Sequence, residues 1–312
     1  MKILIELPTW LGDAVMTTPA IENLVSFFSN IEITLLGSFI SIEALKNHPS
    51  VTKTYILDKK FINLYKTIKD LGEFDLYLSF RGSFRSRFVK FCISSPNKYQ
   101  FDKSKYNKGH QVEKYNNFVN DSLQIDTSSS NLKLYFDGKV KDNKIRLVGI
   151  NPGASYGNAK RWYPEEFAAV ARDLSKQYDI IIFGGPDEAD IAADIEKCLI
   201  RDGIKNYKNL AVKTSVTDLI SQISNLDLFI TGDSGPMHLA AALNIPTVAI
   251  FGPTNHKETS QWMNKKNEIV RKNIDCQPCM ERSCPLTHHN CMKQIKAIEV
   301  LSAVKRLNLT NL

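Results

Sequence analysis

The run Gly232-Asp-Ser-Gly-Pro-Met-His238 holds the residue types from which a phosphate seat is built. It follows the apolar stretch Leu228-Phe-Ile-Thr231 and leads directly into Leu239-Ala-Ala-Ala-Leu243. A strand that turns into a helix at such a point aims backbone N–H groups, and the positive end of the helix dipole, at one spot. A phosphate or diphosphate is the natural occupant of that spot. Pro236 suits the first helical position, where no N–H is needed, and Ser234 or Gly235 can serve as cap. An ordinary capped turn is the competing reading, because glycine-rich strand–helix junctions are common in α/β folds.

Four further segments carry chemistry at comparable places. Asp13, next to Gly12, stands where a first strand gives way to a helix. It reads either as a helix cap or as a weak base, which suffices where a proton leaves late as a nucleophile meets a cationic carbon. Lys160 and Arg161 follow a loop after another strand and suit a diphosphate, or form a solvated basic pair. Asp187 and Glu188 end a third strand at Phe183-Gly-Gly-Pro, as acceptors for ribose hydroxyls or as a plain helix start. Arg81, Arg85 and Arg87 offer forked donors for carboxylates or phosphates. Phe84, Phe88 and Phe91 interleave with them on one helical face, which fits core packing or contact with a membrane surface.

Six cysteines are present, four of them clustered as Cys276, Cys279, Cys284 and Cys291 with His288 and His289 inside. That spacing is compatible with structural zinc but lacks paired knuckles. A loop of reduced, partly buried thiols is the preferred reading, and a disulfide is disfavoured in a reducing compartment. Cys92 and Cys198 sit among apolar neighbours and read as packing residues.

Elements that position these residues alternate strand and helix. In the first half the pattern predicts strands at 2–7, 32–36 and 76–80 and helices at 13–28 and 61–70. A polar stretch, 94–131, reads as loop with one helix near 111–119. Residues 137–144 are polar and aperiodic and read as a connector, dividing the chain into domains at 1–140 and 141–312. The second half predicts strands at 146–150, 179–183, 226–231 and 247–251, with helices at 164–177 and 187–199. A last helix at 296–307 carries an apolar stripe of Ile298, Leu301, Val304 and Leu307 and could pack back on the first domain. The fold class expected is α/β, two Rossmann-like doubly wound domains facing each other across a cleft, with ligands beyond the carboxyl ends of the strands.

An apolar fraction of 43% and a charged fraction of 23% describe an ordinary globular chain and exclude a low-complexity one. No stretch suggests a transmembrane helix or a secretory signal, so a cytoplasmic location is expected. The net charge of +7 points to an anionic partner, either nucleic acid, a phosphorylated metabolite or an acidic lipid surface. No RNA-binding motif, zinc finger or basic helix supports nucleic acid.

Taken together, Pro8-Thr-Trp-Leu-Gly-Asp13, Asn151-Pro-Gly-Ala-Ser155, Ala159-Lys-Arg-Trp162, Thr231 to His238, and Cys284-Pro-Leu-Thr-His-His-Asn-Cys291 resemble the ADP-heptose–lipopolysaccharide heptosyltransferases. The resemblance spans nearly the whole chain and is strongest to the members that add the second heptose of the inner core. It implies the GT-B architecture, with a lipid-linked acceptor on the N-terminal domain and ADP-heptose on the C-terminal one. It implies an inverting displacement with Asp13 as general base. Lys160 would stabilise the departing ADP, and Asp233, Ser234, Gly235 and His238 would bind the donor, with Ser155 and Met237 lining the site and Asp187 and Glu188 at the ribose. Arg81, Arg85 and Arg87 are the expected contacts to Kdo carboxylates and phosphates of a Kdo-lipid A-linked acceptor. No metal site and no obligatory cofactor are implied, with magnesium at most stimulatory. The expected partners are ADP-heptose, the lipid-linked acceptor and, peripherally, the cytoplasmic surface of the inner membrane, with no nucleic acid. Rival readings are a heptosyltransferase of type I or a later branch, a nucleotide-sugar hydrolase or epimerase, and a non-catalytic nucleotide- or RNA-binding module.

Overall fold

The computed structural model describes residues 1–57, 61–138, 145–153 and 155–309, the side chains of 61–63 excepted. Two compact units emerge, Met1–Phe136 and Asp137–Leu312. Most of the expected connector, 139–144, lies outside the described residues.

The first unit runs β1 (Lys2–Glu6), α1 (Leu11–Met16), α2 (Thr18–Phe27), β2 (Glu32–Gly37), α3 (Phe39–Leu45), β3 (Val51–Ile56) and α4 (Phe61–Asp70). It continues with β4 (Leu76–Ser79), α5 (Phe84–Cys92), β5 (Asn97–Gln100) and α6 (Gln111–Leu123). Its five strands are parallel in the order β3-β2-β1-β4-β5. The sequence pattern missed β3, α3 and β5. Val51–Ile56 is mostly exposed and β5 is half-buried, so neither shows the apolar run that marked the central strands.

The helix expected over 13–28 is two helices broken at Thr17. Pro19 has no N–H to offer the Val15 carbonyl. The Thr18 hydroxyl donates to that carbonyl instead, at 2.8 Å, and Thr17 Oγ1 donates to the Ala14 carbonyl at 2.7 Å. The first of these helices starts at Leu11, with Trp10 at its N-cap. Asp13 is therefore in the first turn and is not the cap that its position suggested.

The second unit runs β6 (Leu147–Asn151), α7 (Pro164–Leu174), β7 (Asp179–Ile182), α8 (Ala189–Arg201), β8 (Tyr207–Asn209), α9 (Val216–Ser224) and β9 (Leu228–Gly232). There follow α10 (Gly235–Ala242), β10 (Thr247–Phe251), α11 (His256–Thr259), β11 (Asn267–Arg271), α12 (Asn290–Lys293) and α13 (Ala297–Arg306). Six parallel strands lie in the order β11-β10-β9-β6-β7-β8. Both sheets thus reverse direction beside their own first strand, β1 against β4 and β6 against β9. In a doubly wound sheet, that switch point is where the loops part and a ligand can enter.

Strands β9 and β10 are buried along their whole length, as expected where helices cover both faces. Trp162, Phe167, Ile195 and Ile230 anchor the core beneath them. Of the stripe expected on the last helix, Leu301, Val304 and Leu307 pack into the core beside the fully buried Val300 and Ala303, whereas Ile298 is exposed. Helix α13 packs on α7 and β11, so its buried side belongs to the core of the second unit.

Candidate active site

At the switch point of the second unit, Asn151 ends β6 in register with Thr231 of β9. Its amide Nδ2 donates to Ser234 Oγ at 3.0 Å and to Thr231 Oγ1 at 3.3 Å. This ties the end of one strand to the start of α10. Ser234 is the N-cap by backbone conformation, but its hydroxyl does not cap the helix. The hydroxyl is instead the acceptor for Asn151. Pro236 occupies the second helical position rather than the first. The N–H groups of Ser234 and Gly235 stand at a helix start, where no intrahelical acceptor exists, and that leaves the seat for an anion.

Lys160 closes this seat. Residues Asn158–Lys160 form one turn of 3-10 helix that brings its ammonium to Asp233, 2.6 Å from Oδ2 and 3.3 Å from the backbone carbonyl. Both side chains are largely buried. Thr254 Oγ1 donates to the same Asp233 oxygen at 2.6 Å. The Lys160 ammonium also lies 4.8 Å from the centre of the Tyr156 ring, and the Arg282 guanidinium lies 5.3 Å from it. The Tyr156 ring thus gathers two cations, of which Lys160 stands beside Asp233 just ahead of the start of α10. Tyr156, Arg282, Thr254 and Asn151 were not picked out by sequence reasoning. Asn151 stands in one of the motifs of the sequence and Arg282 inside the cysteine cluster, but Arg282 is more than 100 residues from Lys160 and nothing in the sequence joins the two.

The other expected donor residues divide. Glu188 is buried, and its carboxylate accepts from the Gly185 N–H and from Ser155 Oγ, the latter at 3.1 Å. A Cβ at Gly153 would collide with the Glu188 side chain, so the loop after β6 rests directly on it. Glu188 thus clamps two strand-end loops together, with Ser155 as its partner. Asp187 is exposed, and its carbonyl accepts from Arg161. His238 is buried in α10. Met237 is corrected: its side chain is fully buried against Ala249 and Phe251, so it packs the core and does not line a surface.

The cysteine-rich loop buttresses this seat from behind. Its Arg282 carbonyl accepts from the Ala159 N–H at 3.0 Å, and a Cβ at Gly157 would strike the Arg282 backbone. His289 Nε2 lies 2.9 Å from the Ala159 carbonyl, which can only accept, so Nε2 carries the proton. Nδ1 is then left to accept from Tyr163 Oη at 3.1 Å. Tyr156 Oη donates to the Met280 carbonyl at 2.5 Å. The four cysteines line one cavity of about 20 Å³ and are free thiols. Burial, then the neighbouring Cys276, Cys279 and Cys284, push the Cys291 thiol up to about 11.

The first unit has its own strand-end cluster. Glu6 ends β1 opposite Ser79 of β4 and is fully buried. Its carboxylate accepts from Tyr77 Oη at 2.6 Å, Ser79 Oγ at 2.7 Å and Ser86 Oγ at 2.8 Å. Arg81 Nη1 stands 3.8 Å away. Burial, then the Glu6 charge, hold the Tyr77 phenol well above its ordinary value, so it stays a donor. Glu6 therefore fixes Arg81 at the carboxyl edge of the sheet. Arg87, by contrast, is exposed on α5, so the three arginines do not share one environment. Asp13, half-buried in the first turn of α1, lies near Tyr115 and raises the phenol's pKa after burial has done so.

Replacing Glu6 by alanine would leave the buried Tyr77 hydroxyl and Arg81 without their anionic partner and take one of two partners from Ser79 and Ser86. The expected cost is about 3–5 kcal/mol of stability, with a smaller loss for Glu6→Gln. Chemical denaturation of both variants measures it, and a loss below about 1 kcal/mol, the worth of a single ordinary hydrogen bond, would contradict this reading of the cluster.

A parallel sheet of this order, with a cationic side chain and a helix start at its switch point, defines a doubly wound α/β protein with a seat suited to an anion. The model of glycosyltransferase family 9 (heptosyltransferase) matches residues 63–290, and the chain belongs to that family. A lipooligosaccharide heptosyltransferase 2 of Campylobacter jejuni is 42% identical to it over 98% of each chain. Among solved structures, Escherichia coli ADP-heptose lps heptosyltransferase II covers 99% of both chains with a TM-score of 0.83 at 22% identity. A glycosyl transferase family 9 structure from Veillonella parvula covers 99% of this chain and 97% of its own, with a TM-score of 0.85 at 20% identity. These two likenesses establish the fold, two Rossmann-like units of the GT-B class.

Proposed function

We propose that the chain transfers L-glycero-D-manno-heptose from ADP-heptose to the first heptose of the lipopolysaccharide or lipooligosaccharide inner core. The observation that carries this is the 42% identity to a lipooligosaccharide heptosyltransferase 2 along almost the entire length of both proteins. The strand-end geometry supports it. The donor diphosphate would rest on the N–H groups at the start of α10, with Lys160 and Arg282 beside it. As the anomeric C–O bond breaks, negative charge gathers on the diphosphate, and preorganised donors stabilise that charge more than they stabilise the ground state. Asp13 would take the proton from the attacking heptose hydroxyl. Thr254 helps to hold Asp233 beside Lys160, and Glu188, which braces the loops after β6 and β7, would stand at the donor ribose.

The acceptor would be Kdo-lipid A bearing one heptose, so the enzyme would work peripherally at the cytoplasmic face of the inner membrane. No helix among the described residues is long and apolar enough to cross a membrane. Arg81, held by Glu6, would meet an anionic group of the acceptor.

Lys160, Arg282 and the helix start together supply the positive charge that a divalent ion provides to a leaving diphosphate elsewhere. Turnover is therefore expected without an obligatory metal, with magnesium at most stimulatory. A transfer assay from ADP-heptose in excess chelator tests this and the donor together. Transfer should continue in the chelator and be absent from UDP- or GDP-sugars. Complete loss restored by magnesium would overturn the metal-free reading, and equal use of UDP-sugars would overturn the donor assignment.

A further inference from the structure

Helix α5 presents two phenylalanines to solvent. Phe84 is 79% exposed and Phe91 84%, seven residues apart and so on one stripe, with exposed Arg87 between them. The opposite stripe, Ser86 and Val89, is buried. Only Phe88 packs inward, against the cluster of Leu64, Ile68 and Val89. Core packing of all three, one of the two readings of the sequence, therefore holds for Phe88 alone. Isolated exposed apolar residues are ordinary, but two nearly bare phenylalanines on a nine-residue helix are not.

The adjoining helix completes the face. Helix α4 packs beside α5 through Leu64 and Ile68 and turns Tyr65, Lys66 and Lys69 outward. The Lys69 ammonium stands 5.0 Å from the Tyr65 ring centre. Together the two helices carry five basic residues and one acid, Asp70. Aromatic rings flanked by cations match the boundary of an anionic bilayer, where rings enter the headgroup layer and ammonium and guanidinium groups meet phosphates.

We propose that the α4–α5 face docks this chain on an anionic lipid surface. Phe84 and Phe91 insert below the headgroups while Lys66, Lys69 and Arg87 lie against the phosphates. The proposal rests on the reading above of a lipid-linked acceptor, and it gives Arg87 a headgroup rather than a core sugar as its partner. Apolar insertion and surface charge each contribute too little alone for stable anchoring, which is why both occur on one face.

The test is co-sedimentation of the full chain with vesicles of phosphatidylglycerol and phosphatidylcholine, without donor or acceptor. Wild type should partition to phosphatidylglycerol-rich vesicles, weakly to pure phosphatidylcholine, and less as salt rises. The Phe84→Ser/Phe91→Ser variant should lose about tenfold or more in partition coefficient, and Lys66→Glu/Lys69→Glu a comparable amount at low salt. Both changes are at exposed positions, and an unchanged melting curve confirms that folding is intact. Equal binding of the serine variant and wild type, or no vesicle binding by wild type, would overturn the proposal. So would a wild-type dimer that the serine variant dissolves, since the face would then serve a second copy. Vesicle binding that stands while heptose transfer fails would count against the proposed reaction and leave the docking face intact.

Discussion

Replacing Lys160 by alanine is expected to lower kcat/KM for ADP-heptose by about two to three orders of magnitude. Its ammonium neutralises the nearly buried Asp233 at 2.6 Å and stands beside the helix start that would receive the diphosphate. Losing it removes one positive charge from the leaving group and exposes the seat to the field of Asp233. Because one buried partner is left without the other, some stability is lost as well. The double variant Lys160→Ala/Asp233→Asn separates the two effects. It should recover stability, since no uncompensated carboxylate remains, and stay slow, since the cation is still missing. Recovery of turnover along with stability would reduce Lys160 to a structural partner of Asp233.

Asp13→Ala is expected to lower kcat by about two to four orders of magnitude while leaving the Kd for ADP-heptose close to that of wild type. The reason is placement within the chain. Asp13 lies in the first turn of α1, after the first strand of the first unit, whereas Lys160, Asp233 and α10 all belong to the second. A base acts on the acceptor hydroxyl and not on the bound nucleotide. Donor binding followed by calorimetry, beside steady-state turnover, gives the comparison. Wild-type kcat would remove Asp13 as base, and a matching loss of donor affinity would make it a binding residue.

The strands that carry the site were legible because they are central. Residues 228–232 and 247–251 are buried on both faces, and an uninterrupted apolar run is how such strands appear in sequence. The edge strands β3, β5 and β8 were not legible, being short or half-exposed. The break at Thr17 is implicit in Pro19, but the apolar spacing continues across it and masks the interruption. Within the site, Lys160 and Asp233 were visible singly, each at the end of a strand. That they form an ion pair with each other was not visible, because 73 residues separate them. Glu188 was expected at a ribose, and its bonds to the Gly185 N–H and Ser155, from the loops after two different strands, were not legible in the sequence. Glu6 is not legible as a cluster residue in the sequence. A lone acid at the end of an apolar strand gives no sign that three hydroxyls and an arginine, from 71 to 80 residues further on, will converge on it.

The helix carrying Phe84, Phe88 and Phe91 shows a different limit. Periodicity places residues on a common face but does not say whether anything covers that face. Seven-residue spacing fits a core stripe and a solvent stripe equally well, and the neighbouring helix decides between them.

The proposed reaction is tested most directly by the mass of its lipid product. Purified protein with ADP-heptose should add one heptose to Kdo-lipid A that already bears a first heptose, and none to Kdo-lipid A without it. Addition to the unheptosylated acceptor instead, or release of free heptose with neither lipid changed in mass, would contradict it.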